Sequence, residues 1–210
     1  ANGFYDVEGI EVVILYPKNR VSPVQEKQLT ALGKNIHALE VNGSFDDCQA
    51  LVKQAFSDES LTEKLLLTSA NSINVARWLP QQIYYVLALK QWLKINSESP
   101  VVCVPSGNFG NICAGILAHH RGLPVEHFIA ACNVNDVVPE YLRTEILQPK
   151  ETVATISNAM DVGDPSNFVR ILELFDKEFN QVKNKLSGYT IDDEETLKTI
   201  KRVEKDYGYV

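Results

Sequence analysis

The stretch Val101-Val102-Cys103-Val104-Pro105-Ser106-Gly107-Asn108-Phe109-Gly110-Asn111-Ile112-Cys113-Ala114-Gly115 holds the residues best suited to chemistry. An apolar run passes through Ser, Gly and Asn and continues into a helical pattern. The first four N–H groups of a helix have no partner inside it, and the helix dipole puts partial positive charge at that end. Gly107 and Gly110 permit positive φ, which lets successive amides turn toward one point. Asn108 and Asn111 bring side-chain donors, and Asn111 suits the N-cap position. A phosphate monoester is the ligand that matches such a cluster. The plainer alternative is a strand–loop–helix joint that happens to contain two glycines. The loop fits neither the Walker pattern, which needs Gly-Lys-Ser/Thr, nor the dinucleotide G-x-G-x-x-G pattern.

A second candidate is Asn71-Ser72-Ile73-Asn74-Val75-Ala76-Arg77, which follows an apolar run and opens the next helical region. On a helix Asn74 and Arg77, three apart, share one face. The planar fork of Arg suits a phosphate, and a helix N-terminus adds field of the same sign. A solvated Arg on an amphipathic helix is the competing reading. Lys18, Arg20 and Ser22 read as a solvated loop. His37, His119, His120 and His127 have no triad-like or metal-like spacing, and Cys48, Cys103, Cys113 and Cys132 include no CxxC pair. No metal site is expected, and the cysteines in apolar runs read as small core residues.

The elements that would position these groups alternate strand and helix. Apolar runs at Glu11–Tyr16, Ile36–Val41, Leu65–Thr68, Val101–Val104 and His127–Cys132 are mostly apolar on consecutive positions, as for strands covered on both faces. Between them the spacing predicts helices at Val24–Leu32, Phe45–Phe56, Trp78–Trp92 and Ile112–Arg121, with Pro80 in the first turn or at a kink of the third. Strands are expected to stop near residue 133, leaving surface helices at Phe168–Lys177 and Glu194–Tyr207. This predicts an α/β fold with mainly parallel strands. The polar stretch Asp58–Lys64 marks the candidate boundary, giving a smaller lobe over 1–64 and a larger lobe over 65–210.

Composition narrows the function classes. In 210 residues, 45% are hydrophobic and 22% charged, which fits a globular protein and excludes disorder. The net charge of −7, without a basic run, argues against a nucleic-acid partner. No membrane-length apolar stretch and no secretory pattern is visible, so a reduced, cytoplasmic setting is expected. The first residues read like the end of a helix and the last like the start of an element, so the chain is expected to be an internal fragment.

The segment Pro-Ser-Gly-Asn-Phe-Gly-Asn at 105–111 resembles the cofactor phosphate loop of the threonine synthase family, pyridoxal-phosphate enzymes of the tryptophan-synthase-β-like fold. Four further segments resemble the family in its own order. They are Leu15–Lys18 with Val21–Pro23 and Gln25–Leu29, Thr68–Asn74 with Ala76-Arg77, Asn133–Asp136, and Ser157–Val162. The resemblance implies that Gly107, Asn108, Phe109, Gly110 and Asn111 cradle the phosphate of pyridoxal 5'-phosphate, Phe109 through its backbone N–H. It implies that Asn71, Ser72, Asn74 and Arg77 line the substrate pocket, with Asn74 and Arg77 gripping the phosphate of O-phosphohomoserine. It also implies that residues 1–64 belong to a mobile lobe. The implied reaction turns O-phospho-L-homoserine and water into L-threonine and phosphate, the last step of threonine biosynthesis.

The family's cofactor-bearing lysine lies in a Phe-Lys-Asp-Phe-like motif, and no lysine here has that context. The family's Thr/Ser-Gly-Asp-Thr-Gly-type loop is likewise not found, and the hydroxyl partner of the pyridine nitrogen is expected beyond Val210. No catalytic residue is therefore assigned, and the chain alone is expected to be inactive. The alternatives are a serine or threonine dehydratase or cysteine synthase on the same fold, whose loops carry more consecutive glycines, and a non-catalytic phospholigand-binding relative. A Rossmann-type nucleotide module ranks last, since Glu126 is poorly placed for a ribose.

Overall fold

A computed structural model describes residues 2–71 and 74–209. The chain divides into two compact units, Ala1–Thr68 and Ser69–Val210.

In the first unit, strands β1 (Val12–Pro17) and β2 (Ile36–Val41) pair in parallel, Val12 opposite Ile36. Helix α1 (Pro23–Thr30) connects them, its N-terminus closed by a capping box in which Ser22 and Gln25 bond each other's backbone. Ser44 and Asp47 do the same for α2 (Phe45–Ser57), and a short α3 (Glu59–Thr62) follows. The strand expected at Leu65–Thr68 is not formed. A strand needs a neighbour to take up its N–H and C=O groups, and this segment has none among the described residues; Leu66 is fully exposed.

The second unit carries the site. After a 3₁₀ turn (Val75–Arg77), α4 (Trp78–Trp92) leads to β3 (Val101–Pro105), α5 (Gly110–His120), β4 (His127–Cys132) and α6 (Val137–Thr144). A 3₁₀ turn (Asn158–Met160), α7 (Phe168–Leu174), α8 (Phe179–Lys185), β5 (Leu186–Thr190) and α9 (Asp193–Tyr207) complete it. Strands do not stop at residue 133. The sheet order is β3-β4-β5, all parallel, with β5 adding beside β4 and Phe128 opposite Leu186. The run Leu-Ser-Gly-Tyr-Thr has too little apolar character to reveal β5. Gly188 lets it approach α6, where a Cβ would stand 2.9 Å from the Cα of Pro139.

The core lies between the sheet and α4, α5 and α7. Ile112, Cys113, Ala114 and Ile116 of α5, Phe128 and Ala130 of β4, and Phe168 and Ile171 of α7 are buried together. Gly115 allows this packing, since a Cβ there would stand 2.5 Å from the Tyr85 ring and 2.9 Å from that of Phe128. A mid-helix glycine costs roughly 0.5–1 kcal/mol, which the buried rings of Tyr85 and Phe128 offset. Coverage of β3 on both faces is not observed. Val104 is buried whereas Val101, Cys103 and Pro105 are exposed. Cys103 is thus the exposed thiol, and Cys48, Cys113 and Cys132 are buried.

Candidate functional site

The joint between β3 and α5 begins where the sheet ladder ends. Ser106 N–H donates to the Ala131 carbonyl at 2.8 Å, carrying the β3–β4 pairing one residue past the strand, and its Oγ donates to Val104 O at 3.0 Å. The N–H groups of Gly107, Phe109, Gly110 and Asn111 then donate to no acceptor among the described residues. They stand at the positive end of α5, whose first turn carries no acidic residue. Unmatched amide donors in a positive field are what a phosphate requires.

The backbone achieves this differently from the expectation. Positive φ falls on Phe109 (φ 60°, ψ 12°), the residue capping α5, while Gly110 is already helical and Gly107 is not in the left-handed region. A non-glycine residue in that region costs roughly 1–2 kcal/mol. Burial of the Phe109 ring holds it there, edge-on to Phe168 with centroids 5.7 Å apart. Gly107 is needed for space: a Cβ would stand 2.7 Å from Met160 Cα and 2.9 Å from Met160 O.

Asn111 does not cap α5, nor does its amide face the loop. Its Nδ2 donates to Gln81 Oε1 at 3.0 Å, and its Oδ1 accepts from Tyr85 Oη at 2.7 Å. Gln81 in turn donates to Arg77 O at 2.8 Å. One side chain therefore ties the turn bearing Arg77 to the start of α5. Burial pushes the Tyr85 hydroxyl far above its usual range, keeping it a neutral donor.

Asn74 and Arg77 flank a 3₁₀ turn instead of sharing one α-helical face. Asn74 caps that turn, accepting from Ala76 N at 3.0 Å, and its Nδ2 donates to Ser69 O at 2.8 Å. Arg77 is exposed, with its guanidinium donating to Ala70 O. Asn71 is exposed in the same segment, and Ser72 lies outside the described residues.

A polar latch holds Met160 against Gly107. Asp161 Oδ1 accepts from Asn133 Nδ2 at 2.8 Å and from Thr155 Oγ1 at 2.7 Å, while its Oδ2 accepts from Thr155 N at 3.0 Å. Asn135 clasps the same loop, exchanging hydrogen bonds of 2.9 and 2.8 Å with the backbone of Val153. The Asn-Val-Asn-Asp segment after β4 thus docks the loop that borders the site. Asp136 binds Lys150 at 2.7 Å and accepts from Thr190 Oγ1 at 2.9 Å.

Sequence reasoning missed Gln81, Tyr85, Ser166 and Asn167. Asn167, just before α7, has the look of a helix cap, yet it makes no cap hydrogen bond. Its Nδ2 donates to Asn108 O at 2.9 Å, and Ser166 Oγ donates to Asn108 Oδ1 at 2.9 Å. Among the described residues no group of His, Cys, Asp and Glu could hold a metal ion, and no helix is long and apolar enough to cross a membrane.

A parallel α/β unit with unmatched amide donors in the loop after a strand narrows the class. Residues 6–210 match the family described as pyridoxal-phosphate dependent enzymes, and the chain belongs to it. It is 50% identical over 209 residues to the threonine synthase of Escherichia coli, a match covering 100% of this chain and 48% of that protein. The crystal structure of that threonine synthase superimposes with a TM-score of 0.92 at 49% identity, over 100% of this chain and 49% of its own. The PLP-bound threonine synthase from Brucella melitensis gives 0.84 at 34% identity, over 100% and 50%. The chain thus spans about half the length of the relatives it matches.

Proposed function

We propose that the chain works as part of a threonine synthase, in a complete protein that converts O-phospho-L-homoserine and water to L-threonine and phosphate in the cytoplasm, as the last step of threonine biosynthesis. The observation that carries this reading is the set of unmatched N–H groups at Gly107, Phe109, Gly110 and Asn111 at the positive end of α5. These amides, with Asn108 in the same loop, hold the phosphate of pyridoxal 5'-phosphate. When bound, the cofactor serves as an electron sink for bonds broken next to the substrate amine.

The chain's own residues bind and orient. The loop fixes one end of the cofactor through its doubly charged phosphate. Asn71, Ser72, Asn74 and Arg77 receive the substrate phosphate, the group that must leave. Arg77 is the member with a full charge, and its guanidinium, resting on the carbonyl of Ala70, can swing to a bidentate anion. Gln81, between Arg77 O and Asn111, fixes the spacing of the two phosphate sites. Residues 1–64 form part of a smaller mobile lobe and residues 65–210 part of the cofactor-binding lobe.

No residue of this chain is assigned the proton transfers, because no lysine stands in the family's motif. The chain by itself is therefore inactive, and threonine formation by the isolated chain above a no-protein control contradicts that. The test of the main reading is a substrate panel on the complete protein. Phosphate release from O-phosphohomoserine with stoichiometric threonine supports it. Ammonia release from serine or threonine points to a dehydratase, and cofactor binding without turnover to a phospholigand sensor.

A further inference from the structure

Two neighbouring residues at the start of α7 grip two neighbouring residues of the phosphate loop. Asn167, fully buried, donates from Nδ2 to the carbonyl of Asn108 at 2.9 Å. Phe168, also fully buried, packs its ring edge-on against Phe109. The orientation of the Asn167 amide is fixed independently, because Arg170 Nη1 donates to its Oδ1 at 3.1 Å. The Arg170 guanidinium lies 4.5 Å from the centre of the Trp78 ring.

The peptide joining Asn108 to Phe109 is planar and trans, so its C=O and N–H point in opposite directions. Drawing the carbonyl inward, onto the buried amide of Asn167, turns the Phe109 N–H the other way. The left-handed conformation of Phe109 preserves that orientation as the chain enters α5. Asn167 stands where a residue would ordinarily cap its own helix, and it makes no cap hydrogen bond. Its amide is committed to the loop.

We infer that Asn167 is a positioning residue, clamping the Asn108–Phe109 peptide so that the Phe109 N–H is aimed at the cofactor phosphate, with Phe168 holding the adjoining ring. This rests on the reading that the loop binds pyridoxal phosphate, and goes beyond it by assigning a role to a residue outside the loop that acts through the Asn108 carbonyl. A clamp acting through one phosphate-facing amide has a specific signature. Its loss weakens binding of pyridoxal phosphate and leaves pyridoxal, which lacks the phosphate, unaffected.

The experiment is titration of the cofactor-free complete protein with both compounds, followed by absorbance, for wild type and Asn167→Asp. The substitution keeps the shape and removes the donor. Asn167→Leu, which removes the donor without adding a charge that would itself repel the phosphate, must show the same selective loss. A loss of about tenfold for pyridoxal phosphate, the effect of one hydrogen bond, with little change for pyridoxal supports the inference. Equal losses for both compounds, or none for either, overturn it. Should Asn167→Asp fail to fold, Phe168→Leu carries the test with the same selective loss expected. If the wild-type protein binds the two compounds equally, the phosphate reading of the loop itself has failed, and the variants are not needed to show it.

Discussion

The backbone of Met160 lies so close to Gly107 that a Cβ there would stand 2.7 Å from the Met160 Cα. The contact is backbone on backbone, so no side chain can rotate to relieve it. Gly107→Ala must push apart the loop at 106–111 and the turn at Asn158–Met160. Overpacking of this kind costs roughly 1–3 kcal/mol. The expected outcome is a lower urea midpoint together with weaker binding of pyridoxal phosphate, measured by denaturation and by cofactor titration. An unchanged affinity argues that the loop is not the cofactor's phosphate site.

Asp161 keeps that turn in place. Its two oxygens accept from Asn133, Thr155 Oγ1 and Thr155 N. In Asp161→Asn one acceptor oxygen becomes an amide that meets donors, leaving partners unmatched in a half-buried site. A loss of about 1–3 kcal/mol is expected, read as a shift of the denaturation midpoint. Asp161→Ala should cost at least as much.

Arg77 is exposed, and its guanidinium donates to the carbonyl of Ala70, so its replacement should spare the fold. Arg77→Ala is predicted to raise KM for O-phosphohomoserine by roughly ten- to a hundredfold, the effect of a lost charge-assisted contact. Cofactor affinity should stay as it was. A loss of cofactor binding without a change in KM would move Arg77 to the other phosphate.

Asp136 ties α6 to Lys150 and β5. Desolvation raises its pKa, but hydrogen bonds from Lys150 and Thr190 outweigh this and hold the carboxyl below its ordinary value. A depressed folded pKa gives stability that is present above the unfolded value, near 4, and lost as pH falls through the folded one. The hydrogen bonds from Lys150 to Asp136 and Glu140 raise the Lys150 pKa, so its contribution fades only in strong alkali. Asp136→Asn should therefore destabilise the protein at neutral pH and flatten the acid limb of the stability profile, measured by thermal melts across pH.

The thiols divide by burial. Burial pushes Cys113 and Cys132 up to about 12, and Cys48 is raised as well. Cys103, on the open face of β3, is exposed. At about pH 8 a disulfide reagent should modify Cys103 quickly and the other three only as the protein unfolds. Rapid modification of Cys113 would contradict the packing of α5.

How much was legible in the sequence depended on whether local chemistry set the structure. Strands Ile36–Val41 and His127–Cys132 and helix Trp78–Trp92 fall where the apolar runs and spacing put them. The loop at 106–111 was visible as a Gly-, Ser- and Asn-rich joint between a strand and a helix, a pattern with many plain uses, and its likeness to a family loop singled it out. Its working detail was hidden. Positive φ on Phe109 in place of a glycine follows from Phe168, nearly sixty positions away. The partners of Asn111 and Asn167 lie on other helices, and an asparagine near a helix start looks like a cap whatever it binds. β5 escaped notice because Ser187 and Gly188 were chosen by contact with β4 and α6, not by strand preference.

The most direct test is a crystal structure of the complete protein with pyridoxal phosphate. The phosphate should lie within hydrogen-bond distance of the N–H groups of Gly107, Phe109, Gly110 and Asn111, with Asn108 O still on Asn167. A phosphate bound elsewhere, while these amides turn to protein carbonyls, would contradict the account.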